Sequence, residues 1–385
     1  MKTQNTSDLH YQVCTRTVMD TTDPDIRFDE NGVSNYVPDF AAFIEGLPSP
    51  DERKTDLERR IAQIKAEGMG KRYDCVLGLS GGVDSSYLAY LSKEWGLRPL
   101  VVHFDNGWNS ELAVDNIERI VSHLGFELAT HVMNWEEFRD LQRSYFLASV
   151  VDIEVPTDNL IFGALFRLAA KHKVRTILSG TNYATEWLMP PRWNYRKNDA
   201  VNIKAIQAKF GSRKLKELPI LGVWNQGRYT LANGIRTFAP LDLIYYSKAG
   251  AKKLLMEELG WRDYGGKHYE SVFTRFYQGY VLPKKFNIDK RRAHLSTLIL
   301  NGEITRDEAL AELQQPTYDE DLQAEDRAYL GKKLGFSEEE FDRILAADPV
   351  PHEVYGTDAV QRARYFKMVG TLSQLRRTLL GRKAA

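Results

Sequence analysis

Apolar positions follow two rhythms along the chain. Between Asp51 and Gly68, Leu57, Ile61 and Ile64 recur on one face of a helix, with Gly68 as its stop. From Tyr73 short apolar runs alternate with helical stretches. Cys75–Leu79 predicts a strand, and Val83, Tyr87, Leu88, Leu91 and Trp95 form a helical stripe after it. Pro99–Phe104 predicts the next strand. A helix follows with Val114, Ile117, Ile120, Val121 and Leu124 inward, then a strand near Glu127–Val132. Leu160, Ile161, Ala164, Leu165 and Leu168 mark a further helix, leading into a strand at Thr176–Ser179. Strands alternating with helices of this length predict an α/β fold: a doubly wound, Rossmann-like parallel sheet covered on both faces. Such sheets bind ligands at the carboxyl ends of their strands.

On either side the rhythm is lost. Residues 1–50 are acidic and turn-rich, and beyond Asn182 the alternation fades into a basic, aromatic-spiced stretch over 192–216. Ser247–Leu259 predicts a helix stopped by Gly260. Residues 303–345 read as helical and acidic, with capping boxes from Thr305 to Glu308 and from Ser337 to Glu340. The expected organisation is an irregular N-terminal segment with one helix (1–68), a sheet domain (69–245) and a mainly helical C-terminal region (246–385).

Composition narrows the function. The 385 residues balance 52 Lys+Arg against 52 Asp+Glu, which argues against a nucleic-acid coat, and 43% are hydrophobic, enough for a packed core. Two cysteines, Cys14 and Cys75, exclude a disulfide scaffold and fit a reducing compartment. The opening MKTQNTSDLH lacks the apolar core of a signal peptide, and no apolar run approaches the ~18 residues that span a bilayer. The expected location is the cytoplasm.

The strongest chemical signal is Ser80-Gly81-Gly82-Val83-Asp84-Ser85-Ser86, between a strand and a helix. Adjacent glycines let bare N–H groups approach an anion, and the helix adds free donors and its positive dipole end. The hydroxyls of Ser80, Ser85 and Ser86 can donate to phosphate oxygens, and Asp84 can hold a bridging Mg²⁺. The bland account is a glycine turn with a Ser/Asp cap. No Walker A ending is present. Gly78-Leu79-Ser80-Gly81-Gly82 also fits a hydrolase nucleophile elbow, but that motif leaves Asp84-Ser85-Ser86 without a role and has no oxyanion-hole glycines upstream.

The S-G-G-x-D-S pattern resembles the pyrophosphate loop of the N-type ATP pyrophosphatases, whose adenine nucleotide alpha-hydrolase-like sheet agrees with the predicted fold. Two later strand ends extend the resemblance. His103-Phe104-Asp105-Asn106-Gly107 is similar to the D-N-G segment of GMP synthetase and implies an adenosine contact. Gly180-Thr181-Asn182-Tyr183-Ala184-Thr185-Glu186 is similar to the G-T-x-x-x-x-E segment of NAD synthetase. It implies that Thr181 meets ATP and that Glu186 shares Mg²⁺ with Asp84. Two carboxylates facing each other need a cation between them.

Over roughly residues 10–310 the chain resembles the N-acetyl sugar amidotransferases of surface-polysaccharide and flagellin-sugar pathways. The stretches that carry this are CTRTVMDTTDPDIRFDENGVSNY, TDNLIFGALFRLAAKHKVRTILSGTN and GGKHYESVFTRFYQGYVLPKKFNIDKRRAHLS. The resemblance implies ATP-dependent conversion of an N-acetyl group on a nucleotide-linked sugar to an acetamidino group, with AMP and pyrophosphate as products. It implies ammonia supplied by a separate glutaminase and an imidazole glycerol phosphate synthase-like subunit. With the local charge it selects Lys267, Glu270, Arg291 and Arg292 as catalytic candidates, with Arg192, Arg196, Lys197, His268, Arg275, Lys284 and Lys285 as further cations for the acceptor. The chain departs from the family where paired cysteines stand: the positions read Cys14, Thr17, Ser34 and Val37, so no zinc is expected. The competing readings are a PP-loop tRNA-modifying enzyme and a non-catalytic adenine-nucleotide binder.

Overall fold

The computed structural model describes residues 11–265 and 269–381, with side chains to 371. Two helices lead in: α1 (Tyr36–Glu45) and α2 (Pro50–Gly68). The sheet domain then runs β1 (Cys75–Gly78), α3 (Val83–Glu94), β2 (Pro99–Asp105), α4 (Glu111–Leu124), β3 (Glu127–Val132), α5 (Trp135–Ala148), α6 (Val155–Lys171), β4 (Thr176–Leu178) and α7 (Tyr183–Glu186). It continues with α8 (Ala200–Phe210), α9 (Val223–Ala232) and β5 (Arg236–Phe238). After these come α10 (Lys248–Leu259), α11 (Val272–Phe276), α12 (Leu282–Phe286), α13 (Arg291–Leu300), α14 (Arg306–Gln314), α15 (Glu320–Leu334), α16 (Glu338–Ala346) and α17 (Ala359–Gly381).

The strands form one parallel sheet in the order β3-β2-β1-β4-β5. Successive residues of a strand point to opposite faces, so a sheet covered on both sides needs two apolar cores. Cys75, Leu77, Val101 and Leu178 pack with α2, α3, α4 and α10 on one face. Val76, Leu100, Val102 and Ile177 pack on the other with α5, α6 and α8, and this second core runs on into Phe273, Phe276, Leu330 and Phe341. The C-terminal helices therefore share the core of the sheet. The order reverses at β1, whose neighbours β2 and β4 are reached in opposite directions. The crevice at such a reversal is where sheets of this kind bind ligands.

The predicted strands and helices of 51–179 are all present, within a residue or two. One inward position was misassigned: Val114 is 47% exposed, and the small Ala113 and Asn116 face the core instead. The Thr305–Glu308 capping box is complete. At Ser337 only the hydroxyl half forms, because Glu340 is drawn away by Arg143. Helices α1 and α5 and strand β5 were not predicted. The N-terminal segment is ordered through Cys14, whose sulfur accepts the N–H groups of Arg16, Thr17 and Ser34 at 3.4, 3.4 and 3.2 Å. Burial raises this thiol, but hydrogen bonds with Ser34 and Thr17 outweigh it and hold it below its ordinary value. The Arg306 guanidinium binds the carbonyls of Cys14 and Thr17, fastening the segment to α14.

Candidate active site

The loop from Ser80 to Ser86 leaves the carboxyl end of β1 and turns into α3 at the sheet's reversal. Its hydroxyls and backbone bond one another: Ser80 Oγ lies 3.1 Å from Ser85 Oγ and accepts the Gly82 N–H at 3.2 Å. Gly81 has φ +83°, and a Cβ there would stand 2.9 Å from the Ala113 carbonyl. The Gly81 carbonyl is turned back into the protein, where Trp261 Nε1 and Tyr264 Oη donate to it at 2.8 and 2.9 Å. Both aromatics come from the turn after α10, some 180 residues away in sequence, and no periodic signal marks them. Among the described residues no histidine hydrogen-bonds Ser80, whose hydroxyl instead meets Ser85 and the Gly82 N–H.

Of the expected phosphate-binding hydroxyls, Ser80 is exposed and Ser85 half-buried, but Ser86 is fully buried in α3. Its side chain belongs to the core, because it falls on the inward face of the helix with Ala89 and Ser92. Gly180, at the end of β4, packs against the loop itself: a Cβ there would lie 3.2 Å from the Asp84 carbonyl carbon and the Ser85 nitrogen.

Asp84 is held by two residues the sequence reading gave no role. Tyr246 Oη donates to its Oδ1 at 2.5 Å and Asn182 Nδ2 at 3.2 Å. Burial, followed by the fields of Asp84, Glu303 and Glu186, pushes the Tyr246 hydroxyl far above its ordinary value, so it remains a donor. Asp84 thus sits against this hydroxyl, and Glu186, whose charge also acts on it, lines the adjoining cavity. No group of three His, Cys, Asp or Glu among the described residues converges on a metal position. Two carboxylates are what a Mg²⁺ needs when phosphate oxygens and water complete its shell, so the residues present fit that ion.

A cavity of about 500 Å³ opens beside the loop, lined by Ser80, His103, Phe104, Thr181, Glu186 and Glu270 among others. Burial lowers the basicity of His103, so the ring is neutral near pH 7, with Nε2 3.3 Å from Asn109 Nδ2. Asp105 does not reach the cavity. Its Oδ1 accepts the Gly107 N–H at 3.0 Å and shapes the turn instead. That turn is fixed from α15 by Lys333, which donates to the Gly107 carbonyl and lies within 5.1 Å of the ring centroids of Trp108, Trp135 and Tyr329.

A second cavity, about 300 Å³, adjoins the first and is lined by Arg291 among others. Arg291 spends its nitrogens on Asp289 and on the carbonyls of Glu312 and Gln315. The structure does not bring Arg292 to either cavity: its guanidinium pairs with Asp20 at 2.9 Å and donates to the Val18 carbonyl. Lys267, like His268, lies outside the described residues. Of the other expected acceptor cations, Arg196 is spent on buried Asp199 and Asp358 and Lys197 on Asp152 and Asp158, while Arg192 meets Asp25 in an exposed pair. A charge run in sequence does not say which cations a fold will neutralise.

Residues 270–369 match the family model of the LPS biosynthesis protein WbpG-like, C-terminal domain. The C-terminal part of the chain is thus similar to that domain. The matched segment starts at Glu270 on the rim of the larger cavity and includes Arg275, Gln278 and Arg291. An uncharacterized protein of Methanocaldococcus jannaschii is 25% identical over 298 residues, 74% of this chain and 88% of that one. A tRNA(Ile)-lysidine synthase of Chlamydia pneumoniae is 35% identical over 92 residues, 23% of this chain and 27% of that one. Among solved structures, the NH3-dependent NAD synthetase of Campylobacter jejuni is similar at 15% identity and TM-score 0.34, over 74% of this chain and 97% of that one. The matched segment follows a parallel sheet whose order reverses at β1, where the Ser80–Ser86 loop stands. No helix among the described residues is long and apolar enough to cross a membrane.

Proposed function

We propose that the chain is an ATP-dependent ligase of lipopolysaccharide biosynthesis that converts the N-acetyl group of a nucleotide-linked sugar into an acetamidino group. The observation that carries this is the loop at the end of β1, its Gly81 carbonyl pinned away by Trp261 and Tyr264, opening onto a cavity large enough for a second reactant. In this reading Ser80, Ser85 and the backbone of Gly81 and Gly82 grip the β- and γ-phosphates, and Asp84 and Glu186 are the residues that would hold Mg²⁺. The ion supplies charge neutralisation along the phosphates. His103, Phe104 and Thr181 wall the adenosine side.

The chemistry needs ATP because an amide oxygen is a poor leaving group. The acetamido oxygen attacks the α-phosphorus, forming a P–O bond as the bond to pyrophosphate breaks. The resulting imidoyl adenylate is attacked at carbon by ammonia, and AMP departs carrying the former acetyl oxygen. The proton lost by the attacking nitrogen has carboxylates within the cavity to receive it, Glu270 among them. Cys14 and Cys75 are both buried, which supports ammonia supplied by a separate glutaminase and a channelling subunit. The test is isotopic. With heavy oxygen in the acetamido carbonyl of a UDP-linked sugar and ammonium as nitrogen source, the label should appear in AMP. Label retained in the sugar product, or AMP released without it, removes the reading.

A further inference from the structure

The charges around the two cavities are sorted. The larger is lined by Glu154, Asp158, Glu186 and Glu270 and by no Lys or Arg among the described residues. The smaller brings together Lys248, Arg275, Lys290 and Arg291 against Asp289 and Glu312. Gln278 lines both. It sits on a widened turn, Tyr277–Val281, that joins α11 to α12 in one continuous helix, and donates to Glu154 Oε2 at 3.1 Å. Widened turns of this type are often found at functional sites.

Resting on the function proposed above, we infer that the smaller cavity binds the nucleoside diphosphate end of the acceptor, whose neutral acetamido sugar passes Gln278 into the larger one. Lys248 makes no ion pair among the described residues and stands in the first turn of α10, where the helix dipole disfavours a cation. No ion pair among the described residues rewards that placement, whereas an anion beside it would. Lys290 is 8% exposed and lies 3.8 Å from Glu154, a looser pair than a direct contact. Arg275 gives Nε and Nη2 to Asp326, a pair that does not use its third nitrogen. Two phosphates offer these donors the acceptors they lack.

The experiment is calorimetric titration of the full chain with UDP, GDP, CMP and ATP, repeated with Lys248→Glu and Lys248→Met. UDP or GDP should bind alongside saturating ATP. Lys248→Glu should weaken that binding by about tenfold or more, and Lys248→Met by less, with ATP affinity unchanged. The inference is overturned if neither UDP nor GDP binds, if CMP binds as tightly, if ATP excludes them, or if Lys248→Glu binds them as the parent does. Diphosphate binding that responds to Lys248 without isotope transfer to AMP would remove the amidotransferase reading and leave the cavity assignment standing.

Discussion

Gly81 concentrates the constraints on the loop. Its φ of +83° excludes side chains at low cost, and its carbonyl and would-be Cβ meet neighbours on two sides. Gly81→Ala should cost at least about 1–2 kcal/mol of stability and abolish ATP binding, read by thermal unfolding and nucleotide titration. Glu186 makes the sharper test of the metal. It is exposed, so Glu186→Gln should fold normally yet lose Mg²⁺-dependent pyrophosphate release; normal turnover would remove it from the site. The loop glycines and Asp84 were legible because one short motif carries them, and Glu186 because a second segment, Gly180–Glu186, resembles that of a known family. Tyr246, Trp261 and Tyr264 were not, since each acts through a contact that only the folded chain creates.

Among the elements, the short turn His352–Tyr355 ties the C-terminal region to the end of α5, the loop after it and α8. His352 Nε2 accepts the Asp152 N–H at 3.3 Å, and Nδ1 lies 3.1 Å from Asn202 Oδ1, an arrangement for the neutral ring, which stacks on Tyr195 at 4.0 Å. Burial pushes its pKa from 6.5 down to about 4. The unfolded chain therefore binds more protons between those values, so this contribution is intact above 6.5 and is lost as pH falls toward 4. The loss amounts to about 3 kcal/mol. In denaturant titrations from pH 7 to pH 4 the parent should lose about that much more stability than His352→Gln; parallel curves would contradict the assignment. The same scale shows what patterning misses. Strand β5 has three residues and α1 follows an acidic, turn-rich stretch, too short or too irregular for a period to register. The helices of 51–124 were read correctly because their stripes span several turns.

For the whole molecule, the parallel sheet, its two cores and the position of the crevice followed from alternating apolar runs. The sharing of the second core with the C-terminal helices did not, because Phe273, Phe276 and Phe341 meet the sheet only across long sequence distances. Nor did the fate of the basic residues. Zero net charge hides a fold that neutralises Arg196, Lys197 and Arg292 against buried aspartates while gathering other cations beside the second cavity. The central claim is that the loop after β1 grips the two outer phosphates and leaves the α-phosphorus open. Nucleotide products measured with ATP, ammonium and a UDP-linked N-acetyl sugar test it directly. The account predicts AMP and pyrophosphate in equal amounts; ADP and orthophosphate would contradict it.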